Sequence, residues 1–193
     1  IAASPSDLDA VLPQLAGAAA RLCDADSVVV AHGQRIWATG VGHTAMPPSG
    51  RGRGVPGVRA VATNAPVRFA GPIDSWANDY PDSARMARAA GQSEGAALAV
   101  PLRSDTGAVG TIVVTRRNAT PFSDRHVAIL ETFASQALIA IENARLFNEL
   151  QARNQEITEA LRREEAGSEI LQQISSAPEA LDVTLQAIAE AAR

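Results

Sequence analysis

The placement of its prolines constrains the possible fold of this chain more than any other sequence feature. After Pro121 no proline occurs until Pro178, and Ser123 followed by Asp124 is a suitable N-cap and first-turn acid for the intervening stretch. The sequence therefore predicts one long helix with an apolar face that covers a sheet and a second face that needs a partner. Its apolar positions follow helical spacing: Val127, Leu130, Ala134, Ala137, Leu138 and Ile141, with Ile129, Phe133, Ile139 and Leu146 widening the stripe.

After residue 146 the apolar spacing changes to alternating steps of three and four, as in a heptad repeat. Asn154 at a core position costs stability, but it can pair with its twin and fix register and strand number. We therefore predict a parallel dimeric coiled coil and a homodimer through the terminal helices. The alternative is a single solvated helix. The predicted seam is Phe147, Leu150, Asn154, Ile157, Leu161, Glu164, Ser168 and Leu171.

The rest of the chain alternates helical and β-rich segments, which predicts an α+β domain with an antiparallel sheet of about five or six strands between helical layers. The glycine- and proline-rich stretch 40–57 cannot propagate regular structure and is expected to form a flexible flap. The expected elements are an amphipathic helix at 4–23, a hairpin at 27–31 and 35–38, a short helix at 58–61 that ends near Asn64, an edge strand at 66–69 that begins with proline, and a loop and helix at 74–88. Two central strands at 95–101 and 107–116 are expected to pair as a second hairpin through the compact turn at 104–107.

Composition excludes several classes of function. The net charge is −4 and the arginines are scattered, so no sustained positive face for nucleic acid is expected. Cys23 is the single cysteine, which rules out an internal disulfide and a cysteine-based zinc cluster within one chain and favours a cytoplasmic location. The histidines lack metal-ligand spacing, and apolar runs such as 137–141 fall far short of the ~20 residues that span a bilayer. We expect no metal and no membrane span.

An internal repeat closes the sequence. Residues 178–192 echo residues 5–19, with proline, leucine, aspartate and alanine recurring in register. The alternative is a chance likeness between two alanine-rich amphipathic helices. If the repeat is genuine, a second copy of the domain begins here. The chain also opens at Ile1 without a signal-like leader, so we expect it to be part of a longer protein.

The second half of the chain contains four short motifs: Leu98-Ala99-Val100-Pro101-Leu102, Gly110-Thr111-Ile112-Val113-Val114, Pro121-Phe122-Ser123-Asp124 and Ala140-Ile141-Glu142-Asn143-Ala144-Arg145-Leu146-Phe147. In order and spacing they resemble the GAF family, small-molecule-binding regulatory domains of bacterial histidine kinases, nucleotide cyclases and related proteins. The first turn at 22–26 is also similar to the family's, so the resemblance covers about residues 7–150.

The resemblance implies a six-stranded antiparallel sheet, helices on its back that mediate dimer contacts, and a ligand cavity on the opposite face. It also implies a domain organisation. Residues 1–150 are expected to form a GAF sensory domain, residues 151–175 a coiled-coil linker helix, and residues 176–193 the start of a second, truncated GAF-like domain.

The expected function is regulatory. A small molecule would bind the domain, and its bound state would pass through the dimeric helix to a C-terminal output domain in the same chain, a histidine kinase by resemblance. The alternatives are a ligand-free dimerisation or spacer domain, and a sensor for a nucleotide cyclase. No nucleophile, base and orienting group can be nominated together, so we predict that this part of the protein is not an enzyme.

The ligand stays unknown at this level, but three family chemistries lose support. The chain has no lysine, which the cyclic-nucleotide signature requires. It lacks the cysteine–histidine pair near residues 80–90 that binds bilin covalently, and its single thiol cannot form the intramolecular disulfide of the methionine-sulfoxide reductase branch.

The candidate ligand-binding residues lie on segments that should surround the family's cavity. Aromatic side chains commonly line such pockets, although each could equally fill the core, and the charged candidates could equally be solvated. Cys23 is expected to be a buried, inert side chain. The candidates are the aromatics Trp37, Phe69, Trp76 and Tyr80 and the charged residues Arg68, Asp74 and Arg85.

Overall fold

A computed structural model describes residues 8–40 and 54–176 of the chain. By contacts, the chain divides into two compact units, Ile1–Arg145 and Leu146–Arg193. Most of the predicted flap, residues 41–53, and the predicted second copy, residues 177–193, lie outside the described residues.

The described elements follow the predicted order closely. They are α1 (Leu8–Leu22), β1 (Ser27–His32), β2 (Arg35–Gly40), α2 (Pro56–Thr63), β3 (Val67–Pro72), a 3-10 turn (Ile73–Trp76), α3 (Pro81–Ala89), β4 (Glu94–Ser104), β5 (Gly107–Arg116) and α4 (Asp124–Ser176).

One antiparallel sheet runs through the first unit in the order β2-β1-β5-β4-β3. The two predicted hairpins, β1–β2 and β4–β5, are both present. The predicted edge strand lies at the edge beside β4, and it begins directly after Pro66, which has no N–H to donate to a ladder. The α+β architecture is therefore confirmed. The described residues form five strands, and a sixth, which the resemblance implies, is not among them.

The main core lies between the sheet and helices α1 and α4, on the side we call the α4 face. Strand residues alternate between the two faces, so every second side chain points here. The row Trp37, Val30, Ile112 and Val100 crosses four strands in register, and all four residues belong to this core. Leu130 of α4 is fully buried against it.

Helix α2 begins two residues earlier than the sequence predicts. Its first residue is Pro56, whose fixed φ and missing N–H suit the first helical position, so the stretch that ends the glycine-rich segment is already helical. The helix ends as predicted at Asn64, which adopts the left-handed conformation at φ 48° and ψ 37°. The amide of Asn64 is directed at the carbonyl oxygens of Ala60 and Val61 in the last turn.

Helix α4 begins at the predicted N-cap. The backbone N–H of His126 donates to Ser123 Oγ at 3.4 Å, and the backbone N–H of Ser123 donates to His126 Nδ1 at 3.1 Å. This reciprocal pair is a capping box in which histidine takes the place of the usual glutamate or glutamine. It fixes where the long helix starts.

By length and composition alone, one helix of the described part, α4 over residues 124–172, could cross a membrane, with a mean hydropathy of 1.2 in its most apolar window. A buried core helix passes the same test. Leu130, Ala134, Ala137 and Ile141 of this helix are buried in the main core, so packing on the sheet accounts for part of its apolar character; 33% of that window is buried.

In the second unit, Leu146–Ser176 are the rest of α4. Its described side chains are almost all exposed, and two ion pairs, Arg153–Glu149 and Arg163–Glu159, run along its surface at i,i+4 spacing. The large apolar side chains that remain exposed are Leu146, Leu150, Ile157, Leu161, Ile170 and Leu171.

Candidate functional site

The second face of the sheet, which we call the α2 face, carries a row of small aliphatic side chains. Val29, Val113, Ala99 and Val67 lie opposite one another across β1, β5, β4 and β3. Helix α2 covers the middle of this row, where Ala60 packs on Ala99 and Val113. The α2 face is therefore covered at its centre by one short helix.

A glycine allows α2 to approach the sheet closely. A Cβ atom on Gly57 would lie 2.8 Å from Thr111 Cγ2 and 3.1 Å from Val113 Cγ2, so no larger residue fits without movement. The hydroxyl of Thr111 donates to the carbonyl oxygen of Val100 at 3.0 Å, which fixes its methyl group toward the helix. The start of α2 is thus seated directly on β5.

Beyond α2, the half of the α2 face formed by β1 and β2 is only partly buried. Val29, Ala31 and Ile36 are half-buried and Ala38 is exposed, and Ala31 and Ile36 face each other across the hairpin. We call these four residues the apolar strip. The continuous apolar run of β1 in the sequence indicates such a strip, because a strand that is apolar at successive positions presents apolar side chains on both faces of the sheet.

Three of the predicted aromatic residues come together at the β3 edge of the α2 face. The rings of Phe69 and Tyr80 stack with centroids 4.3 Å apart, and Trp76 meets Phe69 edge to face at 4.8 Å. Ile73 and Ala84 complete this aromatic cluster. The three rings pack on each other.

Two polar features accompany the aromatic cluster: an indole N–H inside it and an arginine on its outer side. Trp76 is buried, and its indole Nε1 has no hydrogen-bond partner among the described residues. On the outside, Arg59 of α2 donates to the hydroxyl of Tyr80 at 3.3 Å, lies over its ring at 5.7 Å, and pairs with Asp79 at 3.5 Å. Helix α2 is thereby tied to the segment that precedes α3.

Two of the predicted charged residues form surface ion pairs near the cluster. Asp74 accepts from Arg88 at 2.6 Å, and Arg85 donates to Asp82 at 2.8 Å within α3. Arg85, Arg88 and Asp74 are at least half exposed, so the two pairs contribute little to stability.

Trp37 does not share a pocket with Phe69 and Trp76, and that part of the expectation is wrong. Trp37 lies opposite Val30 on the α4 face, whereas Phe69 lies opposite Ala97 on the α2 face, and their strands form opposite edges of the sheet. The indole of Trp37 donates to Asp9 Oδ1 of α1 at 2.7 Å. The alternation of side chains along β2 explains this difference, because Trp37 is at a position whose side chain faces α1 and α4.

Arg68 is also on the α4 face. It lies opposite Leu98, a main-core residue, and its guanidinium pairs with Asp124 at 2.7 Å and donates to the carbonyl oxygen of Phe122 at 3.3 Å. Its position therefore differs from the expected one: it attaches β3 to the start of α4.

A sequence profile of the GAF domain matches residues 7–141. The chain belongs to the GAF domain family. No curated protein matches the sequence significantly.

Solved structures share the fold of this GAF domain at low sequence identity. The GAF domain/HD domain protein from Geobacter sulfurreducens is 20% identical with a TM-score of 0.57, covering 74% of this chain and 96% of that one. The GAF domain of a two-component sensor histidine kinase from Bacillus halodurans is 15% identical with a TM-score of 0.55, covering 74% and 99%. The GAF-B domain of DevS from Mycobacterium smegmatis is 20% identical with a TM-score of 0.52, covering 76% and 99%.

The GAF domain also has a cavity of about 310 Å³ on the α4 face, at the end of the sheet where the two hairpin turns meet α4. Its apolar floor includes Leu138 and Ile141, and its rim is charged. The sequence gives no motif for it, because its walls come from three separate segments. The lining residues are His32, Ser104, Asp105, Thr106, Val109, Leu138, Ile141, Glu142 and Arg145.

Among the described residues, two groups have a shifted pKa. Burial raises the pKa of the Cys23 thiol, although Arg116 acts in the opposite direction. Burial lowers the pKa of His126, helped by Arg116 and Arg125 and opposed by Asp24. Cys23 is fully buried, as expected, and its Sγ lies 4.0 Å from the carbonyl oxygen of His126. Within the described residues no cluster of three or more potential metal ligands occurs.

Two arginines that sequence reasoning missed connect separate elements of this GAF domain. Arg116 is buried and donates to the carbonyl oxygens of Cys23 and Asp24 at 2.6 and 2.8 Å. Arg103 contacts both α2 and α4. Neither stands out in sequence, since arginine supplies all the non-histidine basic side chains and only the fold reveals which are buried or bridging.

Proposed function

We propose that this GAF domain is a ligand-responsive regulatory domain of a cytoplasmic bacterial signalling protein. A small molecule binds on the α2 face, over the apolar strip beside α2, and shifts the balance between two arrangements of a dimer. Helix α4 relays the difference to an output domain that lies C-terminal to it. The domain regulates this output and has no catalytic role of its own.

The continuity of α4 carries this proposal. The same helix that buries Leu130 against the sheet continues with exposed apolar residues, Leu150 and Ile157 being 69% and 59% exposed. Exposed leucine and isoleucine at steps of three and four favour pairing with a second copy as a coiled coil. A helix that packs on the sheet and also pairs with a second copy can pass a change in the domain to whatever follows the helix.

A histidine kinase is the output domain that we propose. Support comes from the structural similarity to the GAF domain of a two-component sensor histidine kinase from Bacillus halodurans. A bacterial GAF domain upstream of a helical linker fits that arrangement.

Mass spectrometry of the natively purified protein tests the ligand. We expect a small molecule to be retained by the unmodified protein and lost from Ala31→Phe, because a phenyl ring on β1 fills the apolar strip. Ala152→Phe, on the exposed surface of α4, is the matched control and should retain it. Retention by Ala31→Phe would contradict the proposed position of the ligand.

The dimer is tested by sedimentation of the protein at graded concentrations. Ile157→Glu places a carboxylate in the predicted seam and should convert the dimer to monomer, because two buried like charges would face each other. Ala152→Glu lies on the outer surface of the predicted coiled coil and should leave the dimer intact. A monomeric unmodified protein at high concentration would contradict the relay.

A second candidate, a ligand-free dimerisation or spacer domain, is favoured by one observation. Phe69, Trp76 and Tyr80, expected to line a cavity, pack directly on one another. A dimer that retains no small molecule from any expression host would support this candidate.

A further inference from the structure

Arg103 makes contacts on both sides of the sheet. It lies near the end of β4, beyond Ala99, the last β4 residue that pairs with β3, so no β3 residue pairs with it. The pairing of β4 with β5 also shifts by one residue between Leu102 and Arg103. Such an irregularity turns a side chain away from the regular alternation of the two faces.

The guanidinium of Arg103 holds one helix from each side. Its Nε donates to Asn64 Oδ1 at 3.3 Å and its Nη2 donates to the carbonyl oxygen of Asn64 at 3.2 Å. Its Nη1 donates to Glu131 Oε1 at 3.2 Å. Three donors of one planar group are thus shared between α2 and α4.

Both partners are fixed to their own helices. Asn64 is the C-cap of α2 in the left-handed conformation, and its backbone N–H is directed at carbonyl oxygens in the last turn of the helix. Glu131 follows Leu130, which is fully buried in the main core. A displacement of either helix therefore moves the atom that Arg103 holds.

We propose that Arg103 is a positioning residue that transmits displacement of α2 on one face to the first turns of α4 on the other. Its regulatory meaning rests on the function proposed above, but the coupling itself needs no ligand. The side chains of Arg103 and Glu131 are 44% and 38% exposed, so the ion pair adds little to stability. The rigid guanidinium fork nevertheless fixes relative positions, which a flexible lysine cannot do at three acceptors.

Hydrogen exchange of the full chain tests the coupling. Gly57→Ala displaces α2, because the added methyl meets Thr111 and Val113. We expect exchange of the α4 amides around Glu131 to rise about threefold relative to the amides of α1, which packs on the same face. In Arg103→Met, and in Arg103→Lys, the same Gly57→Ala change should leave that ratio unaltered.

Arg68→Met is the matched control. Arg68 is similarly exposed, pairs with Asp124 of α4, and forms no hydrogen bond or ion pair with α2 among the described residues, so its loss should leave the threefold response intact. A response that survives Arg103→Met, a response that also disappears in Arg68→Met, or no response in the parent protein would each overturn the proposal.

Asn64→Gly provides a second test if Gly57→Ala does not fold. Glycine keeps the left-handed cap but removes the side-chain acceptor of Arg103. The exchange ratio should change in the parent protein and stay constant in Arg103→Met. An unchanged exchange ratio in the parent protein would contradict the coupling. If a variant loses a retained ligand but keeps the coupling, the result contradicts the proposed ligand site and supports the role of Arg103.

Discussion

Arg116 shows how a single residue can join distant parts of a fold. Among the described residues it is the one arginine that is buried, and no carboxylate approaches it closer than Asp24 at 4.0 Å. Its charge is instead met by carbonyl oxygens and by the ring of Phe122, which lies 4.3 Å below the guanidinium. The end of α1 and the segment that leads into α4 are held by this one side chain.

Replacing Arg116 should therefore be costly. Arg116→Met leaves the carbonyl oxygens of Cys23 and Asp24 without their donor, so we expect a loss of about 3 kcal/mol in the free energy of unfolding. Urea denaturation measures it. Arg117→Met, at the exposed neighbouring position, should change the free energy by less than about 0.5 kcal/mol. Equal effects of the two substitutions would contradict this role for Arg116.

His126 makes the stability of the start of α4 depend on pH. Its Nδ1 accepts from the backbone N–H of Ser123, which requires an unprotonated nitrogen, and its pKa is lowered from the ordinary value of 6.5. The unfolded chain thus binds this proton more readily than the folded one. The contribution of His126 to stability is complete above pH 6.5 and is lost as the pH falls through the lower, folded-state pKa.

His126→Gln should remove this part of the pH dependence. Glutamine can serve the same capping box without titrating, so the cap is kept while the proton-linked loss disappears. We expect the parent protein to lose stability more steeply than His126→Gln as the pH falls below about 6.5. Thermal unfolding at a series of pH values compares them, and parallel curves would show that the histidine does not carry the effect.

Among the elements, α4 differs most from an ordinary helix. Its first part completes the core, and its exposed second part has no packing within the described chain that explains its apolar residues. Most helical stability in proteins comes from the packing of an apolar face, so a stretch whose apolar residues are exposed favours a partner. The two surface pairs at i,i+4 spacing supply only a few tenths of a kcal/mol each.

Asn154 should determine how that part pairs. In the predicted seam, asparagine favours a dimer in one register at a cost in stability. We therefore expect Asn154→Ile to raise the melting temperature and to add higher oligomers to the dimer, as measured by light scattering. Asn154→Gln should lower stability without adding oligomers. If Asn154→Ile leaves both properties unchanged, residue 154 does not lie in a seam.

At the scale of the whole molecule, the two units have different sources of stability. The main core, the aromatic cluster and the small cluster under α2 all lie within residues 8–145. The second unit has no comparable cluster among its described residues. The first unit should thus fold without the second.

Removing residues 146–193 tests this division. The shortened chain should unfold cooperatively with a melting temperature within about 3 °C of the parent, since its core is complete. It should also dimerise more weakly, because the predicted seam is gone. Calorimetry and sedimentation measure the two properties. A shortened chain without a cooperative transition would show that the second unit is needed for folding.

The sequence predicted those features that depend on neighbouring residues. The N-cap at Ser123, the end of α2 at Asn64, both hairpins and the edge position of β3 follow from local turn, capping and proline chemistry. The family was also predicted correctly from four short motifs. Local rules succeed here because each acts within one or two turns of the chain.

Tertiary structure alone decided which predicted site residues come together. Phe69, Trp76 and Tyr80 meet because β3 and the segment after it pack back on one face, whereas the phase of its strand turns Trp37 to the opposite face. The roles of Arg103 and Arg116 likewise depend on partners 28 to 93 residues away in sequence. Sequence patterns set secondary structure and burial, but contacts between distant segments exist only once the sheet has fixed their register.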